Sequence, residues 1–549
     1  MKRSNFLIAL LSFIMLFGAV QLANACTNVL VSRGASADGS VMISYLADSG
    51  GFMDPLYFSP AKDHAPGETI DIYEWDTGDF LGSIPQVAHT YRVIGNMNEH
   101  QVAIGETTFT GRRELTKPNG ILDYGSLMYL ALQRATTARE AIKVITDLID
   151  QYGYASTGES FSVADKEEVW LFELIGKGEH GHGAVWVAAR VPEGYVTAHA
   201  NTARIRQIDF NDTQNWMWSK DVVDFAREMN WFSGRDRDFS FADTYAPASC
   251  YSRLLCEGRV WSVYRRVAPS ANFAADFWRC AEEADPYPLF IKPDKKISNQ
   301  DMMALVRDHF QDTPYDMTKG FAAGPHGLPY RWRPLGFQLE GDETQYAYER
   351  PISQQQTAFS FVAQSRNWLP DEVGGIFWYG VDDTYSTCYM PLYMGMEKAP
   401  VSLVTGTIRE FDWNSAFWVF NLVSNYAYGL YEPIIGDILK VQKELEDRSV
   451  AMTKAVDQAA QFLAKDSPEM LNSYLTDFSV SNAEYVVERW RELGHYIFAK
   501  YNDRYIHEFD GDKQSVRGVG YDHEFNRRAV EERPGYYDVK WRKAGEPIH

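Results

Sequence analysis

Motifs of metal-dependent and nucleotide-dependent enzymes are missing from this sequence. The histidines and cysteines form no HExxH or CxxC arrangement, and no glycine-rich phosphate loop occurs. A structural role is the more common one for isolated histidines such as His64, His89, His100, His199 and His309. We therefore predict that the protein uses no metal and no cofactor.

Basic residues are also too few for a nucleic-acid-binding protein. The chain has 53 lysines and arginines against 74 aspartates and glutamates, which gives a formal net charge of −21. Because phosphate binding needs clustered basic side chains, this balance argues against a nucleic-acid partner. With 45% hydrophobic and 14% aromatic residues, the 549-residue chain can bury a large core. It contains no internal repeat and no low-complexity linker.

Long hydrophobic runs are missing except near the N-terminus. Residues 6–20 are apolar and uncharged, follow two basic residues, and precede the small residues Ala23 and Ala25. This order is typical of a signal peptide over residues 1–25, and the run is shorter than the roughly 20 residues of a membrane span. We predict an exported protein, periplasmic or extracellular, with no integral membrane span. The alternative is a lipoprotein signal that leads to acylation of Cys26.

Cleavage after Ala25 makes Cys26 the first residue of the mature chain. A thiol and a free α-amine then lie on one residue, which combines a nucleophile with its own general base. The flanking residues 26–31 and 41–45 surround an Asp38-Gly39 turn, a pattern that predicts a β-hairpin. The nucleophile would therefore stand at the free end of a rigid strand.

Cysteines are scarce, and their number is odd. In an exported protein, an odd count leaves one thiol unpaired. If Cys26 is that thiol, the other four can form up to two disulfides, and buried reduced cysteines are the alternative. These four are Cys250, Cys256, Cys280 and Cys388.

The order of the predicted elements favours an α+β fold with antiparallel sheets covered by helices. Alternating and helical hydrophobic patterns place these elements along the chain. Hairpins are predicted over 26–45, 160–174 and 186–198, a helix over 123–152 with a turn boundary near 137–140, strands over 357–364, 375–379 and 387–392, and helices over 433–465 and 481–501.

The opening stretch Cys26-Thr27-Asn28-Val29-Leu30-Val31 resembles the start of the secreted dipeptidase family of N-terminal nucleophile hydrolases. The similarity continues in the same order through residues 35–40, 97–99, 105–108, 123–125, 137–141, 200–205, 259–261 and 350–353. It implies a four-layer αββα sandwich with additional C-terminal helices, hydrolysis of dipeptides, and kinship with bile-salt hydrolase and penicillin V acylase. We expect a catalytic domain over 26–425 and a C-terminal helical extension over 426–549 packed on the core.

The resemblance also suggests site residues, with two departures from the acylase pattern. Asp48 falls at the position of a site aspartate, but Tyr45 stands where the acylases have an arginine. Thr108 stands where they have an oxyanion-hole asparagine, whereas Asn201 matches their second asparagine. Arg259 is the better candidate for their late arginine, with Arg253 close behind.

Each candidate has a catalytic and a structural interpretation. Asp48 can orient the α-amine or cap a turn, and Asn201 can donate to an oxyanion or bond the backbone of a turn. Thr108 can donate its hydroxyl or backbone N–H to the oxyanion. Arg259 can bind substrate or form an ion pair stacked on Trp261.

A dipeptide substrate has an ammonium and a carboxylate, so its site needs an acidic and a basic anchor. We expect Asp48 or Glu106 at one end and Arg259 at the other, with Tyr45 nearby, although Glu106 can also be a buried paired carboxylate. The predicted partners are dipeptides, with further copies of this chain in a homo-oligomer as an additional candidate. The alternative functions are an amidase or acylase on non-peptide amides and a lipidated surface protein that binds small ligands.

Overall fold

The computed structural model describes residues 26–50, 53, 55–539 and 543, and it shows an α+β fold. The predicted signal peptide lies outside the described residues. The described strands are β1 (Asn28–Val31), β2 (Val41–Asp48), β3 (Phe58–Ser59), β4 (Lys62–Asp63), β5 (Thr69–Tyr73), β6 (Phe80–Pro85), β7 (His89–Thr90), β8 (Val93–Ile94), β9 (Met97–Asn98), β10 (Ala103–Phe109), β11 (Gly158–Ala164), β12 (Val169–Gly176), β13 (Ala184–Arg190), β14 (Val196–His199), β15 (Trp216–Trp218), β16 (Gly336–Phe337), β17 (Tyr346–Ala347), β18 (Thr357–Ser365), β19 (Ile376–Val381), β20 (Met390–Tyr393), β21 (Tyr505–Asp510) and β22 (Lys513–Gly518).

The described helices range from single turns to a 36-residue rod. They are α1 (Tyr124–Leu132), α2 (Ala138–Tyr152), α3 (Asp224–Glu228), α4 (Phe241–Tyr245), α5 (Cys250–Leu255), α6 (Glu257–Val267), α7 (Asn299–Val306), α8 (Asp371–Gly374), α9 (Val401–Val404), α10 (Ala416–Tyr428), α11 (Tyr431–Asp466), α12 (Leu471–Lys500) and α13 (His523–Glu532).

Two large sheets form the centre of the molecule. One has six strands in the order β14-β1-β2-β18-β19-β20, and the other has eight in the order β15-β13-β12-β11-β10-β9-β8-β3. Strands β1 and β2 pair antiparallel with Leu30 opposite Ile43, which confirms the first predicted hairpin. The pairing of β11 with β12 confirms the second, and β18, β19 and β20 confirm the three late strands.

The third predicted hairpin, over residues 186–198, is wrong. Strand β13 belongs to the eight-stranded sheet, whereas β14 pairs with β1 in the six-stranded sheet, where Val196 lies opposite Val31. The chain therefore crosses between the sheets at this point. Both strands are largely buried on both faces, so their sequences carry no alternation that distinguishes a hairpin from a crossover.

A buried polar bridge joins the two sheets. Nδ1 of His199 on β14 lies 2.7 Å from Thr107 Oγ1 on β10, and Nε2 lies 2.8 Å from Ser162 Oγ on β11. Burial, followed by repulsion from Arg204 and Arg259, lowers the pKa of His199 to about 3, so the ring is neutral near pH 7. This side chain links the sheets rather than binding a metal.

Helices α1 and α2 cover the eight-stranded sheet and correct the prediction of one helix over 123–152. The first ends at Gln133, and the second begins after Thr137, whose side chain accepts a hydrogen bond from the Glu140 amide. Thr137 is an N-cap, a position that favours threonine because its oxygen satisfies an otherwise unpaired amide. The predicted boundary near 137–140 is thus a true break.

Helices α6, α7, α10, α11 and α12 pack on the six-stranded sheet. Both predicted C-terminal helices are present, although α12 begins ten residues earlier than the predicted residue 481. Ile434 of α11 and Trp490 of α12 belong to the same apolar cluster as Leu30 and Ile43 of the sheet. None of the helices in the described part of the chain is both long and apolar enough to cross a membrane.

One disulfide is present among the described residues. It joins Cys250 to Cys280, with the two Cα atoms 5.6 Å apart. Cys26, Cys256 and Cys388 are reduced and buried. Of the four later cysteines, Cys250 and Cys280 therefore form a disulfide, whereas Cys256 and Cys388 are the buried reduced cysteines of the alternative prediction. The disulfide holds the start of α5, which leads directly into α6 and Arg259.

Candidate active site

The Cys26 thiol lies in a cleft next to β1, and its side chain contacts two of the predicted substrate-binding residues. Its Sγ is 3.3 Å from Glu106 Oε1 and 3.8 Å from the Tyr45 hydroxyl. The Tyr45 hydroxyl in turn donates to Glu106 Oε1 at 2.5 Å. The residues that line the cleft are Cys26, Tyr45, Ala47, Asp48, Ser49, Trp75, Asp76, Asn96, Glu106, Tyr124, Met128, Tyr129 and Phe359.

The surroundings of Cys26 favour the protonated thiol. Burial raises its pKa well above the ordinary value, and the negative charges of Glu106 and Asp48 raise it further. Hydrogen bonds with the Asp48 backbone and with the Tyr45 hydroxyl act in the opposite direction. Because the thiolate is the reactive form, this cysteine needs a proton acceptor at the moment of attack.

Glu159 forms a buried acidic pair with Glu106 and was not predicted from the sequence. Burial raises the pKa of Glu159 well above its ordinary value, and the charge of Glu106 raises it further. A hydrogen bond of 3.1 Å from the Thr108 hydroxyl opposes this effect. Two close carboxylates cannot both ionise easily, so this arrangement favours the protonated form of Glu159.

Asp76 is the third carboxylate that lines the cleft, after Asp48 and Glu106. Asp76 lies between β5 and β6 and accepts a 2.9 Å hydrogen bond from the Tyr124 hydroxyl. Trp75 beside it stacks on Tyr129, with ring centroids 4.6 Å apart, and its backbone N–H donates to Asp123. The β5–β6 hairpin therefore places both an acidic and an aromatic side chain over the thiol.

Arg259 is buried and uses all its donors within the protein. A guanidinium has five N–H groups. Nε donates to Leu255 O at 2.9 Å, Nη1 to Cys26 O at 2.6 Å and to Thr27 Oγ1 at 2.8 Å, and Nη2 to Ala200 O at 3.3 Å and to Asn201 Oδ1 at 2.9 Å. This geometry suits a residue that positions Cys26, and it leaves no N–H for a substrate carboxylate.

Asn201 and Thr108 continue this network away from Arg259. The Asn201 side chain donates to Thr108 O at 2.7 Å while its oxygen accepts from Arg259. Its backbone is left-handed, with φ of 59°, a conformation that asparagine tolerates better than most residues. Thr108 thus links Asn201 to Glu159, and the amide of Asn201 is fixed by contacts at both of its ends.

Asp48 ends β2 and is fully enclosed by hydrogen-bond donors. Its carboxylate accepts from Arg350 Nη2 at 3.2 Å and from Thr357 Oγ1 at 2.6 Å. Burial raises its pKa to about 6, while Arg350, Thr357, Arg259 and Arg333 counteract the shift, in that order. The carboxylate is therefore mostly ionised at neutral pH.

The structure brings the predicted site residues together in two groups. Cys26, Tyr45, Asp48 and Glu106 line the cleft, whereas Thr108, Asn201 and Arg259 form the hydrogen-bonded support beside it. Residues that the sequence did not single out are Glu159, Asp76, Tyr124, Arg333 and Arg350. Only Tyr124 and Arg350 had a signal, since they lie in the family-like stretches 123–125 and 350–353. In the described residues, no group of three or more His, Cys, Asp or Glu side chains is arranged to hold a metal ion.

Comparison with known proteins places the chain in a family. Residues 64–444 match the model described as peptidase family C69. This stretch includes the acidic pair, Thr108, Asn201 and Arg259, and it begins after Cys26.

Curated relatives extend the similarity over most of the sequence. A probable dipeptidase of Latilactobacillus sakei is 27% identical over 482 residues, which cover 82% of this chain and 92% of the relative. A probable dipeptidase of Salmonella dublin is 26% identical over 69% of this chain and 85% of the relative. Dipeptidase A of Lactobacillus helveticus is 26% identical over 77% and 84%, respectively. The chain belongs to peptidase family C69.

Proposed function

We propose that this protein is an exported cysteine dipeptidase whose nucleophile is Cys26, exposed as the N-terminal residue by removal of the leader. The observation that carries the proposal is the position of the thiol. It lies in a cleft at the start of β1, beside carboxylates, while Arg259 holds the backbone carbonyl of the same residue. The names of the relatives support dipeptides as substrates.

The proposed reaction has two stages. The Cys26 sulfur attacks the scissile carbonyl carbon and its proton passes to the α-amine, which then donates a proton to the leaving amine as the C–N bond breaks. Water then hydrolyses the thioester, with the same amine as general base, and releases the first amino acid and the thiol. Asn201, fixed by Arg259 and Thr108, is the proposed donor to the oxyanion.

The acidic side of the cleft suits the ammonium of a dipeptide. Glu106 lies 3.3 Å from the sulfur, which is a short enough distance for its charge to reach an ammonium attached next to the scissile carbonyl. An acylase substrate has no ammonium at this position, so an acylase site would not need this charge. Glu106, supported by the Tyr45 hydroxyl, is therefore the proposed ammonium anchor, and this favours a dipeptide over a non-peptide amide.

The proposal also includes the layer arrangement of the catalytic domain and the export of the protein. A four-layer αββα sandwich over residues 26–425 is supported by helices that pack on each of the two large sheets. Export is supported by the Cys250–Cys280 disulfide, because such bonds persist mainly in oxidising compartments. The C-terminal helices over 426–549 would then be an extension that shares the core.

The decisive experiment measures the mature N-terminus and the activity together. Protein secreted from the full sequence should have an intact mass that starts at Cys26 and should hydrolyse dipeptides. A diacylglycerol adduct on Cys26, with no hydrolysis of any dipeptide in a broad panel, would instead support the lipidated binding protein.

A further inference from the structure

The proposed dipeptidase needs a residue that binds the C-terminal carboxylate of its substrate. This group distinguishes a dipeptide from the start of a longer peptide. Arg259 does not provide it, because its five N–H groups already bond the protein. Asp48, which lines the cleft, interacts with two further arginines, Arg333 and Arg350, on the segments that flank one small hairpin.

These two arginines are neighbours across the hairpin formed by β16 and β17. Gly336 lies opposite Ala347, and the register continues through a 3.0 Å hydrogen bond from the Tyr348 amide to Leu335 O. Arg333 and Arg350 stand two residues beyond this bond on the two segments, outside the paired strands, and are close enough to repel each other.

The hairpin is attached to the wall of the active site at two points. Arg350 binds Asp48, which lines the cleft with Cys26. Leu335 packs against Leu255 and Cys256, immediately before the helix that carries Arg259. The segment that carries Arg333 is therefore held between the start of α6 and the end of β2.

The local charge is positive and incompletely neutralised. Arg259, Arg333 and Arg350 form an arginine cluster around the single carboxylate of Asp48. Burial, followed by repulsion from Arg259 and then Arg333, lowers the pKa of Arg350 well below its ordinary value. Glu349 does not compensate for this charge, because it faces Arg279 at 3.5 Å. An anion bound here would relieve the repulsion.

Arg333 is the member of the cluster that is available to a ligand. Its residue is exposed, and in the part of the chain that the structure describes its guanidinium makes no hydrogen bond or ion pair. Arg350, by contrast, is buried against Asp48. A guanidinium offers the two parallel N–H groups that match a carboxylate.

We propose that Arg333 binds the C-terminal carboxylate of the substrate and so limits the enzyme to dipeptides. This inference rests on the proposed function. The ammonium is held at Glu106 and the carboxylate at Arg333, with the scissile bond at Cys26 between them. A third residue would move the carboxylate away from Arg333 and lose this contact.

The test compares one dipeptide with its C-terminal amide, which has the same scissile bond but no carboxylate. The enzyme is the leaderless protein that starts at Cys26, and the dipeptide is the best substrate of a panel. The wild type should prefer the free acid. Arg333→Met should lower kcat/KM for the acid by about 10- to 100-fold and change that for the amide by less than about 3-fold. Arg333→Lys should retain part of the preference.

The control is Lys319→Met, which removes a positive charge from an exposed side chain with no ion pair among the described residues and should leave both substrates unaffected. Equal cleavage of acid and amide by the wild type, or an equal loss of both in Arg333→Met, would overturn the role of Arg333 and leave the dipeptidase proposal standing. A wild type that cleaves neither substrate nor any other dipeptide would overturn the proposed function and this inference with it.

Discussion

Arg259 donates a 2.6 Å hydrogen bond from Nη1 to the carbonyl oxygen of Cys26, although 233 residues separate them in the chain. The same nitrogen bonds the Thr27 hydroxyl, so the guanidinium holds both of the residues that directly precede β1. Cys26 is thereby positioned through its own backbone. Its side chain stays available to the cleft, and this relationship underlies the first predictions.

Arg259→Lys should lower kcat by about 10²-fold or more and leave KM for dipeptides nearly unchanged. Lysine keeps the charge but has three donors on one atom, so it cannot reproduce the five bonds of the guanidinium. Steady-state kinetics on a dipeptide and its amide would measure the effect. Because Arg259 contacts no substrate in our proposal, both substrates should lose activity equally. A selective rise in KM for the free acid would show that Arg259 binds the carboxylate after all.

Cys26→Ala should abolish hydrolysis and leave the protein folded and exported. Cys26→Ser should retain a trace of activity, because a hydroxyl is a weaker nucleophile near neutral pH. Initial rates on dipeptides, with circular dichroism as the control for folding, would test this. Secreted Cys26→Ala protein with the wild-type rate would exclude Cys26 as the nucleophile.

Any residue that remains in front of Cys26 should destroy catalysis. An additional residue converts the α-amine to an amide that accepts no proton near pH 7, and general-base assistance is typically worth about 10²–10⁴-fold. A leaderless form that starts Met-Cys26 should be trimmed by methionine aminopeptidase and be active. The matched form Met-Lys-Cys26 should stay extended, as shown by intact mass, and be folded but inactive. Equal rates for the two forms would contradict the N-terminal nucleophile mechanism.

Glu106→Gln and Glu159→Gln should differ sharply although the two side chains are neighbours. The raised pKa of Glu159 favours its protonated form, which glutamine imitates, whereas Glu106 is the proposed anchor of the substrate ammonium. We expect a loss of about 10- to 100-fold in kcat/KM for Glu106→Gln, and less than about 3-fold for Glu159→Gln. Kinetics of both variants at pH 7 would measure this, and an equal loss would contradict the assignment of the proton.

Glu159 should also make the protein less stable as the pH rises. Its pKa is higher in the folded protein than in the unfolded chain, so the folded state binds more protons in the interval between the two values. Stability is then greatest below the ordinary glutamate pKa of about 4.3 and falls as the pH approaches the raised value. Glu159→Gln should reduce this slope and unfold at a higher urea concentration than the wild type at pH 8. An unchanged slope would show that Glu159 ionises normally.

Thiol reagents should inactivate the enzyme through Cys26, and metal chelators should have no effect. Cys256 and Cys388 are buried and lie outside the cleft, and the remaining two cysteines form the disulfide. Peptide mass mapping after alkylation would locate the modified thiol. Activity that is lost in a chelator and restored by added metal would contradict the proposed mechanism.

Local sequence patterns predicted the secondary-structure elements that the preferences of neighbouring residues determine. The hairpin that carries Cys26, the paired strands around residues 165–168 and the long C-terminal helices follow from alternation, turn residues and helical spacing. The crossover between β13 and β14 was missed because strands buried on both faces look alike in a hairpin and in a crossover. The β21–β22 hairpin was missed too, and its second strand is exposed throughout, so it has no alternating pattern.

The sequence by itself predicted a cleavage signal before Cys26 and a strand directly after it, and it offered Glu106, Asn201 and Arg259 as candidates for the site. Only the tertiary structure decided what each side chain bonds. It filled every donor of Arg259 with protein acceptors, set Glu159 beside Glu106, and brought Arg333 close to Arg350 and Asp48. These relationships depend on cross-strand register and on distances between segments far apart in the chain. The free energies of burial and charge interaction that follow from such distances have no signature in a single local sequence window.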